Sequence, residues 1–133
     1  MSSPTTSPFN WQAFLLFAQQ NAGAKSETLK RTSASRAYYA LFNVCRDFLE
    51  SLGHTIPNTR AHKLVWEVFK NAPDADPSSA PDWRLLAQHG TTLRTLRNQA
   101  DYDDQINQFD RRLANAINIA TQGFQLLPTL KTK

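Results

Sequence analysis

"SETLKRTSASRAYYALFNVCRDFLESLG", residues 26–53, decides the fold class. Tyr38, Leu41, Phe42, Cys45, Phe48, Leu49 and Leu52 recur at helical spacing and form one wide apolar stripe. Ser33, Ala37, Ala40 and Val44 form a second stripe of small side chains. Small residues let a neighbouring helix come close, which places this segment at the centre of a helical bundle. Gly53 marks its end.

Working outward, "SPFNWQAFLLFAQQNAG" (7–23) carries helix signals at both ends. Ser7 can cap, Pro8 suits the first helical position and Gly23 closes the segment. Its dense aromatics and leucines predict contacts on more than one side. "TRAHKLVWEVFKNA" (59–72) predicts a shorter helix with Leu64, Val65, Val68 and Phe69 inward. "PDADPSSAPD" (73–82), with Pro73, Pro77 and Pro81, reads as a surface loop. "WRLLAQHGTTLRTLRNQA" (83–100) returns to helix, with Leu86, Leu93, Leu96 and Ala100 on one face and Gly90 a propensity cost. Ile106, Phe109, Leu113, Ala116, Ile117, Ala120, Phe124 and Leu127 then step by three and four up to Pro128. No segment alternates as a strand would. The expectation is an all-α, up-and-down four-helix bundle with one additional short helix. It forms a single domain over 7–128, between a disordered tail at 1–6 and a C-terminal tail at 129–133.

At 133 residues the chain fits one domain. Nine of its fifteen basic residues are arginine and the net charge is +4, which permits an RNA partner without requiring one. There is no apolar run of about eighteen residues, so no membrane partner is expected. The N-terminus lacks the pattern of a signal peptide, and a cytoplasmic location is the default. The lone Cys45 lies in an apolar pattern and reads as a buried structural thiol. Neither a metal-ligand spacing nor a glycine-rich phosphate loop is present, so neither metal nor cofactor is expected.

"TLRNQADYDDQ" (95–105) joins the last two long helical patterns. Much of it is explicable as a helix boundary. Arg97 and Asp101 are spaced to pair along a helix, and Asp103 or Asp104 can cap the next one. Arg97 also borders the Leu93–Ala100 apolar face, and a guanidinium at a core edge needs a partner. Asp101, a second protomer or a ligand would serve.

Two segments resemble a known family. "RTSASRAYYALFNVCRDFLESLG" resembles the second-helix signature of prokaryotic HEPN domains, an S-R-x-Y-Y-A core before an apolar run. "LRTLRNQADYDD" resembles the motif that these proteins carry between their last two long helices, in its R-x-x-A-D-Y variant. "TRAHKLVWEVF" resembles the family's middle segment, and the likeness spans roughly residues 25–125. It implies a helical bundle that dimerises with its arginine motifs facing one cleft. Many such proteins are metal-independent endoribonucleases, acting as toxins beside a nucleotidyltransferase-like antitoxin or in phage defence. Others are non-catalytic RNA- or nucleotide-binding modules.

Catalytic members place a histidine four to six residues after the arginine. Cleavage without a metal needs a group titrating near neutral pH and a fixed cation for the phosphate. Arg97 matches the arginine, but Tyr102 stands where the histidine would. A tyrosine, with a pKa of about 10, is a poor base at neutral pH; it can still hydrogen-bond phosphate or stack on a base. Arg97 and Tyr102 are therefore the candidate catalytic positions, and Arg36, Arg97 and Asn98 the candidate phosphate contacts. Arg36 can alternatively form a salt bridge to Asp101 or Asp104. Asp101, Tyr38 and Tyr39 are expected to support the motif, and His62 and His89 are the available substitutes for the missing acid–base group. Two functions stay open. One is a protein that binds or cleaves RNA within a toxin–antitoxin or defence pair. The other is a non-catalytic dimerisation or partner-binding module regulated by a nucleotidyltransferase-like partner. Separately, the resemblance implies that Tyr102 can be a modification target for such a partner.

Overall fold

The computed structural model describes residues 9–133. Five helices follow one another: α1 (Gln12–Asn21), α2 (Glu27–Ser51), α3 (Ala61–Asn71), α4 (Ala80–Tyr102) and α5 (Phe109–Leu126). A short 3-10 turn, Leu127–Thr129, comes last. The fold is all-α, as the periodicity predicts, and no described helix is long and apolar enough to cross a membrane. The expected tail at 1–6 and the Ser7 and Pro8 start signals lie outside the described residues.

Helix α2 packs on α1, α4 and α5. Its first turn is capped by Ser26 Oγ, which accepts from the Leu29 amide. Its end is turned by Gly53 at a φ of 96°. Tyr38, Leu41, Cys45 and Leu49 are fully buried. Ser33, on the small-residue stripe, donates to Ala18 O of α1 at 2.7 Å, so the stripe is the α1 contact. Burial pushes the Cys45 thiol well above its ordinary pKa, which fits a structural role.

Side-chain contacts fix the helix directions. Trp11 Nε1 donates to Asp47 while Ala18 meets Ser33, so α1 and α2 are antiparallel. Phe48 lies 5.5 Å from Trp83 while Arg31 reaches Ala100, so α2 and α4 are antiparallel too. Helices α2 and α5 run the same way: Lys30 pairs with Asp110 near their starts, and Leu41 lies against Gly123 further along both. A Cβ there would come within 2.6 Å of Leu41 Cδ1.

Helix α3 packs chiefly on α4, antiparallel to it, with Phe69 5.4 Å from Trp83. Ala61, Val65, Trp66 and Phe69 are its buried residues. The sequence pattern missed Trp66, while the expected Leu64 and Val68 are only half-buried. Trp66 also explains Gly90. Its indole lies so close to α4 that a Cβ at position 90 would be 2.4 Å from the ring. The glycine is a seat for the indole as well as a propensity cost.

Several boundaries differ from expectation. Helix α1 opens at Gln12, whose amide donates to Asn10 Oδ1, and buries only Leu15 and Ala18; Phe9 and Leu16 are exposed. The predicted contacts on more than one side therefore do not form around Leu16. The 73–82 loop ends early. Helix α4 starts at Ala80 and takes Pro81 into its first turn, where a missing N–H costs nothing. Ala75 and Ser79 of that loop are buried because residues 131–133 lie along it. The Asp76 amide donates to Lys131 O, the Lys133 amide to Asp74 O and the Lys131 amide to Ser79 Oγ, each at 3.0 Å.

Asp103 and Asp104 do not cap α5. That helix starts at Phe109 after Gln108, which has a left-handed φ of 53° and makes no side-chain cap. Asp103 instead ends α4. Only Asp110 is acidic in the first turn of α5, and it pairs with Lys30 at 2.9 Å.

Candidate functional site

Helix α4 carries Arg97 toward α2. One Nη donates to the Tyr39 hydroxyl and the other to Asn98 Oδ1, at 2.8 Å. Asp101 Oδ2 lies 2.9 Å from Nε, in the pairing that the four-residue spacing predicts. Nε is buried without a well-directed hydrogen bond, so this contact is an ion pair rather than an aligned bond. The guanidinium also lies 5.0 Å from the Tyr39 ring centre. Three side chains thus orient one half-buried cation.

Helix α3 brings His62 to the same ring. Its imidazole stacks on Phe42 at 4.2 Å and meets the edge of Tyr39 at 5.8 Å. Trp66 Nε1, which can only donate, gives its proton to the Tyr38 oxygen at 3.2 Å. The Tyr38 hydroxyl is then free to donate to His62 Nδ1 at 2.6 Å. That chain makes Nδ1 the acceptor and leaves the proton of the neutral ring on Nε2. Burial, followed by the charges of Arg94, Arg97 and Arg46, holds His62 below its ordinary pKa. The ring is neutral at neutral pH. The Tyr38 hydroxyl is pushed up to about 12 by burial, against the opposing hydrogen bond from Trp66 and the charge of Arg94.

Arg94, three residues before Arg97, completes the group. Its Nε is buried without a partner, and its guanidinium forms no ion pair or hydrogen bond among the described residues. Sequence reasoning passed over it, although it stands one turn from Arg97 and one turn after Gly90.

The other expected residues separate from this cluster. Tyr102 is 77% exposed at the last position of α4 and forms no hydrogen bond among the described residues. Five residues turn a helix by about 140° relative to the start, so Arg97 and Tyr102 face different ways. His89 lines a depression with Leu85, Gln122 and Gln125, apart from Arg97, and burial lowers its pKa. Arg36 makes no salt bridge to Asp101 or Asp104. Its guanidinium lies over the Phe14 ring at 4.8 Å instead, because α1 packs beside that turn of α2. Arg36 and Asp101 share a recess with Arg31.

Arg31, also missed, donates to the carbonyls of Ala100 and Asp103 through one Nη and of Asp104 through the other. Its signal was its position: it extends the Tyr38 stripe by seven residues toward the N-terminus. Among the described residues, no group of three or more His, Cys, Asp or Glu side chains is placed to hold a metal ion. No family model, curated protein or solved structure matches the chain.

Proposed function

We propose that the chain is a HEPN-like protein that binds RNA, with Arg97 on a phosphate. The observation that carries this reading is the held guanidinium of Arg97 beside the unpaired Arg94. A guanidinium already oriented by neighbours loses little freedom on meeting phosphate oxygens, and its fork matches them. Asn98, exposed and bonded to Arg97, is placed to take a second phosphate or ribose contact.

Binding without cleavage fits the geometry better than catalysis. Tyr102 points away from Arg97, and the Nδ1 of His62 is occupied by Tyr38. His62 Nε2–H can donate to a phosphate oxygen but cannot accept the 2′-hydroxyl proton in that tautomer. The reading brings with it a homodimer with facing sites, a cytoplasmic location and a nucleotidyltransferase-like antitoxin partner.

Fluorescence anisotropy with single-stranded RNA at low salt tests it. Wild type binds, and Arg97→Ala weakens binding and flattens its salt dependence. Equal binding by both proteins overturns the reading. Growth arrest on overexpression that Arg97→Ala relieves would move the assignment to an endoribonuclease toxin.

A second reading concerns Tyr102, whose exposed, unengaged hydroxyl at a helix end is open to a modifying enzyme. Co-expression with a nucleotidyltransferase partner adds nucleotide mass to wild type and none to Tyr102→Phe. An unchanged wild-type mass removes this reading.

A further inference from the structure

Beside the Arg97 cluster, α3 and α4 leave an open groove of about 560 Å³. Lys63 and Lys70 of α3 and Arg84 and Arg94 of α4 line it, against one acid, Glu67. Glu67 lies 3.8 Å from Lys63. Lys70, Arg84 and Arg94 form no ion pair among the described residues. On α4, Arg84, Ala87, Thr91 and Arg94 recur at three- and four-residue spacing and so run in one line along the groove. Arg97 follows three residues later. From Arg84 to Arg94 the line is about 15 Å long at the rise of an α-helix, and Arg97 stands about 60° further round the helix, outside the groove's lining.

We infer that this groove holds single-stranded RNA, carrying the nucleotides next to the phosphate at Arg97. The inference rests on the RNA-binding reading and extends it from one contact to a path. Cations spaced along a line suit a polyanion whose charges are spaced along a chain. An acidic helix from a protein partner would need large apolar side chains to bury. The floor offers Ala87, Thr91 and a Trp66 that is only 5% exposed, which gives such a helix little to anchor on. With Trp66 nearly covered, no exposed ring lines the groove for bases to stack on. Binding is therefore through the backbone and indifferent to sequence.

The test uses the full chain and fluorescein-labelled oligouridylate and oligoadenylate of fifteen nucleotides, over a salt series. Wild type binds the two oligonucleotides within a few-fold of each other. Lys70→Glu/Arg84→Glu lowers the affinity at least tenfold in low salt. It also reduces the slope of log K against log salt by about 1.4, two contacts at about 0.7 each. Both side chains are exposed, and an unchanged thermal melt shows that the fold is kept. Wild-type affinity and slope in the double variant overturn the inference. So does a glutamate-rich amphipathic peptide that binds wild type but not the double variant while RNA binding is unaffected; that result gives the groove to an acidic protein. Arg97→Ala, measured alongside, separates the two readings. If it weakens binding and the double variant does not, only the groove assignment falls. If wild type binds no RNA, both fall.

Discussion

Arg31 and Arg97 bridge the same two antiparallel helices from opposite sides, and their side chains are almost equally covered, at 19% and 17% exposure. Their partners differ in kind. Arg31 spends both Nη groups on the backbone carbonyls of Ala100, Asp103 and Asp104, and only its Nε meets a side chain, Glu27, at 3.6 Å. Those carbonyls cannot rotate away, and the cation offsets the negative end of the α4 dipole. Arg97 is held by a hydroxyl, an amide and a carboxylate, all on side chains. Each can give way to a phosphate oxygen for the cost of a rotamer change. Burial does not tell a structural arginine from an available one; the mobility of its partners does.

The strongest way to break this contrast is Arg31→Ala. Several carbonyls lose a charged donor, and water replaces it only where the end of α4 is open. The expected loss is about 2–3 kcal/mol in chemical denaturation, with RNA affinity unchanged where the variant remains folded. Arg97→Ala comes next and inverts the pattern. Stability falls by about 1 kcal/mol, because Asn98 and Asp101 resolvate at the surface and only the Tyr39 hydroxyl is partly buried, whereas RNA affinity falls roughly ten- to hundredfold, the equivalent of one charge-assisted hydrogen bond. A loss of stability as large as that of Arg31→Ala would erase the distinction.

A finer probe is the pH dependence around His62. Its folded pKa is lowered, so as pH falls through about 6.5 the unfolded chain takes up a proton that the folded chain still refuses. Stability therefore declines with acidification across that window and levels off once the folded ring also protonates. His62→Gln should make the decline shallower in denaturation series between pH 7 and 5. Part of it remains, because His89 is shifted the same way. An unchanged decline would argue that burial and the charges of Arg94, Arg97 and Arg46 do not lower the pKa of the ring. The smallest effect belongs to Tyr102→Phe: stability within about 0.5 kcal/mol of wild type, and unaltered RNA binding in the same assay. Weakened binding would extend the site around the end of α4.

The parts legible in the sequence are those governed by spacing along one helix. The stripes of α2 and α5 and the Arg97–Asp101 pair all follow from the helical repeat. What escaped depends on other segments. Asp103 and Asp104 look like caps, yet the 103–108 connection bends to present carbonyls to Arg31, more than seventy residues upstream. The meeting of Tyr39, His62 and Arg97 needs α2, α3 and α4 together, and no local pattern announces it. Residues 129–133 looked like a tail because their partners lie in a proline-rich loop some fifty positions earlier.

The seat of Trp66 on Gly90 reaches further than packing. His62 precedes Trp66 by one turn of α3, and Arg94 follows Gly90 by one turn of α4. Because the two helices run oppositely, those offsets point the same way, and the indole fixes how far the imidazole stands from the guanidinium. Slide α3 along α4 and the field at the ring changes with it. A hydrogen in place of a methyl, carrying no charge itself, thus calibrates the electrostatics of a group one helical turn away.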